Sequence, residues 1–573
     1  EAHFHNPYWN LYENTNQDIT NRVIANGTLY WEILKGLNLK TRINGAINDV
    51  ERFVFNNNGS AYDPNGLYTE IGTLRQNWNY EAILNYTKKF NDFSLVCLLG
   101  ANRFDLRTSG FRKTAISLID KDIMNLSNGD RFRQDVILQN NKRINSVFAS
   151  VNFGYLDTYF LDLTARNDWS STLPKQNNSY FYPSVGVTAL FSKLIPRNDI
   201  LTFGKLRGSY AQVGSDTAFD RLFNNYILTG NYNNTQWLAI QKIKGNPDLR
   251  PELTSSSEVG IETKLFNNRI SIDASYYKSS TNDQIIPALV TPTSGFVSNI
   301  VNAGEIENEG VELFLSAKIL DKNFKWQADV NWSTNESNVV SLIDGVDQLL
   351  IRNWLNVGVF AEIGQPFGNI RGNAQVKDPE TGTPLVLQTG RAVWESNQLL
   401  GNAQADWIGS LRNSFSYNNF SLNVLLDVKM GGDLYSATMG KSTNHGVHAE
   451  TLEGREEFFF SSVVLGESLL ERQGRRVVLL DNKYADGDRV KGRIYQNSAL
   501  GEQDANGNWS AKRDANGDIV YSQIWLSPQE YGYDGLQDQQ RFVYDASYVK
   551  LREITFGYTI PTRFIKKLKI IEP

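Results

Sequence analysis

Several things are scarce in this 573-residue sequence. It has one cysteine, Cys97, so no disulfide can form within the chain and a cysteine-based structural zinc site is excluded. It has four histidines, His3, His5, His445 and His448. Only His445-Gly-Val-His448 is spaced like a metal pair, no further ligands cluster beside it, and the plain reading is a solvated loop. No run of ~18 apolar residues occurs, so no helix is expected to cross a membrane. The opening residues, Glu1-Ala-His-Phe-His5, lack the basic and apolar regions of a signal peptide and read as a mature or truncated start. Basic residues are not in excess. A net charge of -5 and a pI near 5.7 argue against general nucleic-acid binding. There is no Gly-rich phosphate loop and no Ser/His/Asp motif in a recognisable setting. Carboxylate pairs such as Asp157 with Asp162, or Glu305 with Glu307, come without a positioned partner, so the chain is not expected to be an enzyme.

Aromatic residues are plentiful, with 26 Tyr, 30 Phe and 12 Trp. The apolar fraction of 41% and mean hydropathy of -0.39 resemble an ordinary soluble protein. A membrane β-barrel would look the same, because half of each strand faces a polar lumen. The repeated signal is period-two alternation over ~9–11 residues. Val259 and Ile261 alternate with Glu258 and Glu262; Ile270, Ile272, Ala274 and Tyr276 alternate with Ser271, Asp273 and Ser275. Val311, Leu313, Leu315 and Ala317 oppose Glu312, Ser316 and Lys318. Phe324, Trp326, Ala328, Val330 and Trp332 oppose Lys325, Gln327, Asp329 and Asn331, and Phe420 to Val428 oppose Ser421 to Lys429 in the same way. A soluble sandwich also alternates. Charged residues in mid-strand (Asp273, Asp329, Asp427) and aromatics at strand ends (Tyr276, Phe324, Trp332, Phe420) favour a barrel in lipid.

Connection lengths add to this. Short turns are expected at Leu34–Leu37, Lys88–Asp92, Gly154–Asp157, Phe266–Arg269, Ile319–Asn323 and Tyr417–Phe420. Long polar stretches lie between, at about Asn48–Gln76, Phe104–Asn145, Asn167–Tyr182, Val213–Thr254, Thr281–Gly304, Asn335–Asp406 and Gly431–Asp545. Such irregular lengths are foreign to a compact domain. Alternating short and long connections are the outer-membrane layout, with short periplasmic turns and long extracellular loops. About sixteen candidate strands result, an all-β, antiparallel barrel that has not closed.

Several segments together resemble the SusC/RagA class of TonB-dependent outer-membrane transporters. They are Asn6-Pro-Tyr-Trp9 with Asn21-Arg22; Arg166-Asn-Asp168-Trp-Ser-Ser171 followed by Phe181-Tyr-Pro183-Ser184; Lys205-Leu-Arg207-Gly-Ser-Tyr210 with Gly214; and Asn246-Pro-Asp248-Leu249-Arg250-Pro251-Glu252. Asn302-Ala-Gly304-Glu-Ile-Glu-Asn308-Glu-Gly310-Val-Glu312, Gly431-Gly432 and Ala546-Ser547-Tyr548 through Phe556-Gly557-Tyr558 complete the set. Each is weak alone; their order over most of the chain carries the resemblance. Gly304 and Gly310 suit bulges near a strand start, and Pro183 and Pro251 suit positions where a strand begins.

The resemblance implies a barrel of 22 strands in the family, with residues 1–573 as an incomplete barrel region. The plug, the TonB-contacting segment and the last strands are expected to lie outside it. It implies a multi-pass protein of the bacterial outer membrane, of Bacteroidetes type, importing oligomeric nutrients (glycans or peptides). The implied partners are a SusD-like lipoprotein and the TonB complex. A siderophore-type receptor of the same fold and a secreted all-β carbohydrate-binding protein stay open as alternatives. Trp237, Trp354, Trp394, Trp509 and Trp525 fall in or beside the long loops. They are the candidates for stacking on sugar rings or gripping the lipoprotein; packing of the loops on themselves is the plain alternative. Asp504-Ala-Asn506-Gly507 and Asp514-Ala-Asn516-Gly517-Asp518 resemble halves of calcium loops, but the closing Glu is absent and Asn-Gly is a strong hairpin turn, so turns are preferred. No other cofactor is expected.

Overall fold

The computed structural model describes residues 7–561 except 197, 233–234, 355, 453–457, 460–488, 491–494, 496, 523–525, 527–531 and 533–536. The chain forms two compact units, Glu1–Glu305 and Ile306–Pro573.

In the first unit a short helix, Pro7–Tyr12, leads into ten antiparallel strands, each hydrogen-bonded to the next in sequence. They are β1 (Thr15–Leu34), β2 (Leu37–Asn58), β3 (Asn65–Phe90), β4 (Phe93–Leu118), β5 (Gly129–Tyr155), β6 (Tyr159–Ser170), β7 (Ser179–Ala189), β8 (Leu201–Ser215), β9 (Glu252–Leu265) and β10 (Ile270–Asn282). The second unit continues the same up-and-down pattern with β11 (Glu305–Asp321), β12 (Phe324–Ser333), β13 (Trp407–Tyr417), β14 (Phe420–Met430) and β15 (Tyr548–Tyr558), and Glu336–Ser341 pairs on β11. Sixteen strands thus belong to the pattern.

Register turns the alternation into two faces. In β5–β7 the cross-strand sets Val151–Leu163–Val185 and Phe153–Leu161–Val187 lie on one side. Leu163 is 44% exposed, Val187 54% and Val259 52%, so no protein covers this apolar face. In the second unit Val330–Leu411–Leu426–Leu551 form the equivalent row. Aromatics crowd its turn end: Phe324 and Trp326 against Phe415, and Phe420 against Phe556 and Tyr558, at 4.8–6.1 Å between ring centres. Phe93 with Phe90, Phe153 and Tyr155 does the same in the first unit. One polar residue interrupts the apolar row of β13. Asn413 sits there with its Oδ1 accepting a 3.0 Å bond from Trp326 Nε1, which spares the amide oxygen an unpaired position on an apolar surface.

The short turns lie where alternation ends. One of them, Phe266-Asn-Asn268, has successive φ of 52°, 55° and 61°. Asparagine tolerates this left-handed backbone better than other residues with a Cβ.

Two expectations are corrected. The stretches read as loops at 48–76 and 104–145 are mostly strand. β2 runs to Asn58, β3 begins at Asn65, β4 runs to Leu118 and β5 begins at Gly129. At ~3.3 Å per residue such strands reach far beyond the ~10 residues a bilayer needs. Their outer halves mix polar and apolar residues on both sides, so the period-two signal fades. Ion pairs such as Arg52 Nε–Asp18 Oδ1 (2.7 Å) and a small core of Phe55, Tyr68, Ala115 and Leu118 hold them instead. Pro183 lies within β7, not at its start. It pairs with Ala165 on one side, while the pairing of β7 with β8 begins at Ser184, so no hydrogen bond is lost on the other.

Candidate functional site

On the polar face of the first unit the charges are held in groups. Arg166 and Asp168 are two apart on β6 and so share a side. Arg166 Nε donates to Asp168 Oδ1 (2.8 Å) and Nη2 to Ser146 Oγ (2.8 Å). Tyr182, opposite Arg166 on β7, donates its hydroxyl to Asp168 Oδ2 at 2.7 Å. Both oxygens of Asp168, 5% exposed, are thereby satisfied. Lys142 Nζ meets Asp216 Oδ1 at 2.5 Å, and the hydroxyls of Ser170 and Thr172 donate to Asp216 Oδ2 at 2.5 and 3.2 Å. Arg207 bridges Glu258 (3.2 Å) and Asp273 (2.9 Å). A Cβ on Gly260, its register partner, would stand 2.6 Å from Arg207 Cζ, so the bare backbone gives the guanidinium its room. In the second unit Asp329 accepts from Ser316 Oγ (2.6 Å) and Gln327 Nε2 (2.9 Å), and Asp427 faces Arg552 at 3.6 Å. Such half-exposed pairs add little stability, about 0–1 kcal/mol each. They leave a hydrophilic face on which most charges are partnered, with carboxylate in excess at Arg207 and at Asp329. The arrangement suits contact with polar solutes.

Two motif segments prove to be one clasp. Leu249 is fully buried with Leu173, Tyr180 and Ile300. Arg250 N donates to Asn302 Oδ1 and Asn302 Nδ2 returns to Arg250 O, both at 2.8 Å. Glu252 Oε1 accepts from Ile285 N at 2.7 Å. Leu249, Arg250 and Glu252 thus tie a loop to Ile300, Asn302 and Ile285, just before Gly304 with its φ of +85°. Gly431 and Gly432, at φ +74° and +78°, make a similar tie: Gly431 N donates to Ser547 Oγ and Ala546 N to Gly432 O.

The stretch 335–406, read as irregular, folds as a four-stranded antiparallel sheet of Gln348–Trp354, Val357–Glu362, Asn369–Gln375 and Trp394–Asn402. A second small sheet joins Leu385–Val386 to Ala499–Gln503 and Trp509–Ala511 over a core of Leu385, Val393, Ala499 and Ala511. Arg371 grips Glu362 through two bonds of 2.5 and 2.8 Å, which hold the Glu362 carboxyl below its usual range against the opposing effect of burial.

The candidate tryptophans do not converge. Trp237 is 56% exposed in the hairpin Tyr226–Tyr232/Thr235–Ile240 of the first unit. In the second unit Trp354 lies 6.4 Å from Tyr435 with Lys441 Nζ 5.8 Å above its ring. It opens on a cavity of about 380 Å³ that Lys441, Ser442 and His445 also line. Trp394 is half-buried at the start of its strand, and Trp509 packs on the small core. Trp525 lies outside the described residues.

Asp504 Oδ1 accepts from the backbone N–H of Asn506 and Asn508, each at 2.8 Å, and Asp514 Oδ1 from those of Asn516 and Asp518, each at 2.9 Å. The Asn508 side chain and these amides hold the Asp504 carboxyl below its usual range. Among the described residues no group of three His, Cys, Asp or Glu is placed to hold a metal ion. The ion-pair groups were not found from sequence, because the cross-strand register that brings Lys142 to Asp216 leaves no local trace. The R-x-D spacing of Arg166 and Asp168 was the usable signal.

Residues 2–358 match the family described as "TonB dependent receptor-like, beta-barrel". The chain is 24% identical over 529 residues to TonB-dependent receptor P3 of Formosa agariphila, covering 85% of this chain and 46% of that protein. It is 24% identical over 426 residues to TonB-dependent receptor SusC of Bacteroides thetaiotaomicron, covering 69% and 41%. It spans about half the length of the curated relatives it matches. Its fold superposes on the RagAB peptide transporter with a TM-score of 0.71 at 19% identity, over 97% of this chain and 57% of that one.

Proposed function

Since the chain belongs to the TonB-dependent receptor-like β-barrel family, a family of outer-membrane receptors and transporters, we propose that it is the barrel of a SusC-like importer for oligomeric nutrients. The apolar face meets lipid and the polar face lines the passage. Import draws energy through TonB, and a SusD-like lipoprotein closes the loop side, which faces the cell exterior. The observation that carries the reading is the register itself. In the first unit it puts Asp168 and Asp273 on one face with their partners, while Leu163 and Val187 stand bare on the other. A hydrophilic lining whose charges are mostly partnered passes a polar oligomer with little trapping by charge. Trp237 and Trp354 are the loop aromatics available to a glycan ring, a peptide side chain or the lipoprotein; any calcium bound at Asp504 and Asp514 would serve only to stiffen their turns.

The test is deletion of the full-length gene, followed by growth on defined oligosaccharides and on defined oligopeptides as the limiting nutrient. Growth on one class should fail and return on complementation, and a surface lipoprotein should co-purify with the tagged protein. Unchanged growth on both classes, with a defect confined to iron limitation, would replace this reading by a siderophore receptor.

A further inference from the structure

The outward face changes character abruptly at one height. Going from the short turns toward the long loops, the outward residues of β4 are Leu95, Cys97, Leu99 and Ala101, and those of β5 are Phe153, Val151, Ala149 and Val147. The last apolar pair is Ala101–Val147. The next three pairs are Arg103–Asn145, Asp105–Arg143 and Arg107–Asn141. Asp105, whose side chain is 11% exposed, accepts from Arg103 Nε at 2.8 Å and Arg143 Nε at 2.6 Å. The side chains of those arginines stay 48% and 44% exposed. Arg107 has no hydrogen-bond or ion-pair partner among the described residues. Two guanidiniums therefore share one carboxylate, and a third stands on the same strand face without one. Arg107 and Arg143, with Asp105, Asn141 and Ser171, line a cavity of about 450 Å³. Beside it on β3, Tyr80 and Trp78 pair with Arg103 and Asp105, their rings stacked 6.5 Å apart. Aromatic rings of this kind settle at the level of lipid headgroups.

The geometry points to a binding site for a phosphorylated lipid headgroup, in the leaflet on the side of the long loops. The excess cations begin one residue pair above the last apolar pair, the depth at which a lipid phosphate lies. Arginine forks match phosphate oxygens two at a time. Asp105 orients two of the forks and stays covered, so the charge offered to a ligand is positive. The inference rests on the outward face meeting lipid, and not on what the protein imports.

The test uses the full-length protein, delipidated in mild detergent and offered phosphatidylcholine vesicles with and without bis-phosphorylated lipid A; bound lipid is counted by native mass spectrometry. The triple variant R103A/R107A/R143A should lose affinity on the order of a hundredfold, at about fivefold per arginine. The single variant R107A, which breaks no contact within the protein, should lose about fivefold while retaining wild-type nutrient uptake. R107K should recover most of that loss. Undiminished binding by R107A and by a folded triple variant would overturn the proposal. So would inorganic phosphate displacing the lipid at equal concentration, which would make the site one for a free anion.

Discussion

The apolar face of the strands and the small folded insert built from 348–402 and 499–521 use the same residue types under opposite rules. On β5–β7 and β15 many Leu, Val and aromatic side chains stand bare and on β12–β14 most are only half-covered, while polar residues on the other face have partners. In the insert Leu385, Val393 and Ala499 are buried together with polar residues such as Glu362 and Asp378, bonded to Arg371 and to Ala511 N. The difference teaches that apolar content cannot tell the two environments apart; which side carries the hydrogen bonds can. It also fixes what a mutation should do in each place.

The largest effect is expected in the insert. Leu385→Ala should cost about 2–5 kcal/mol there, as for other fully buried leucines. Hydrogen exchange should quicken across 385–393 and 499–511 while the strands β12–β14 stay protected. If the strands loosen equally, the insert is not a separate core and the comparison fails. Leu163→Arg on the bare face should cost about 2–4 kcal/mol if that face lies deep in lipid. Refolding into bilayers, followed by the migration of unheated protein on a gel, measures it; a neutral outcome would place Leu163 in water. Trp326→Phe should cost about 1–3 kcal/mol by leaving Asn413 without its donor on the apolar face. Asn413→Leu in that background should recover the loss, and a double-mutant cycle reads the coupling.

The smallest effect concerns pH. The Arg371 bonds lower the folded pKa of Glu362, whereas the unfolded carboxyl titrates at its ordinary value. A depressed folded pKa contributes stability that is fully present above the unfolded value and is lost as pH falls through the folded one. The insert should therefore hold through the ordinary glutamate range and loosen only below it, as followed by exchange rates corrected for intrinsic pH dependence. Glu362→Gln should remove that step, and a step that persists belongs to another group.

Much of the fold was legible because a strand between two solvents must alternate. The faces of Val259–Ile261, Phe324–Trp332 and Phe420–Val428 were read correctly from that alone. The outer halves of β2–β5 were missed for the same reason: with water on both sides, Arg52 and Asp18 have no cause to alternate with apolar residues. The insert was missed because its strands are short and its core draws on residues as distant as Leu385 and Ala511. Of the candidate site, Asp273, Asp329 and Asp427 were visible as misfits in mid-strand. Asp216 was not, because its partners arrive from two other strands.

The turn Phe266-Asn-Asn268 decides which neighbours β9 and β10 present to each other. A one-residue slip there would send every side chain of one strand to the opposite side. Asp273 would then enter hydrocarbon and Ile272 and Ala274 would face water. Misthreading of this hairpin thus meets its penalty in the surrounding medium. The bilayer acts as a proofreader of the hairpin, so errors that would persist in a detergent-free fragment would be rejected on insertion.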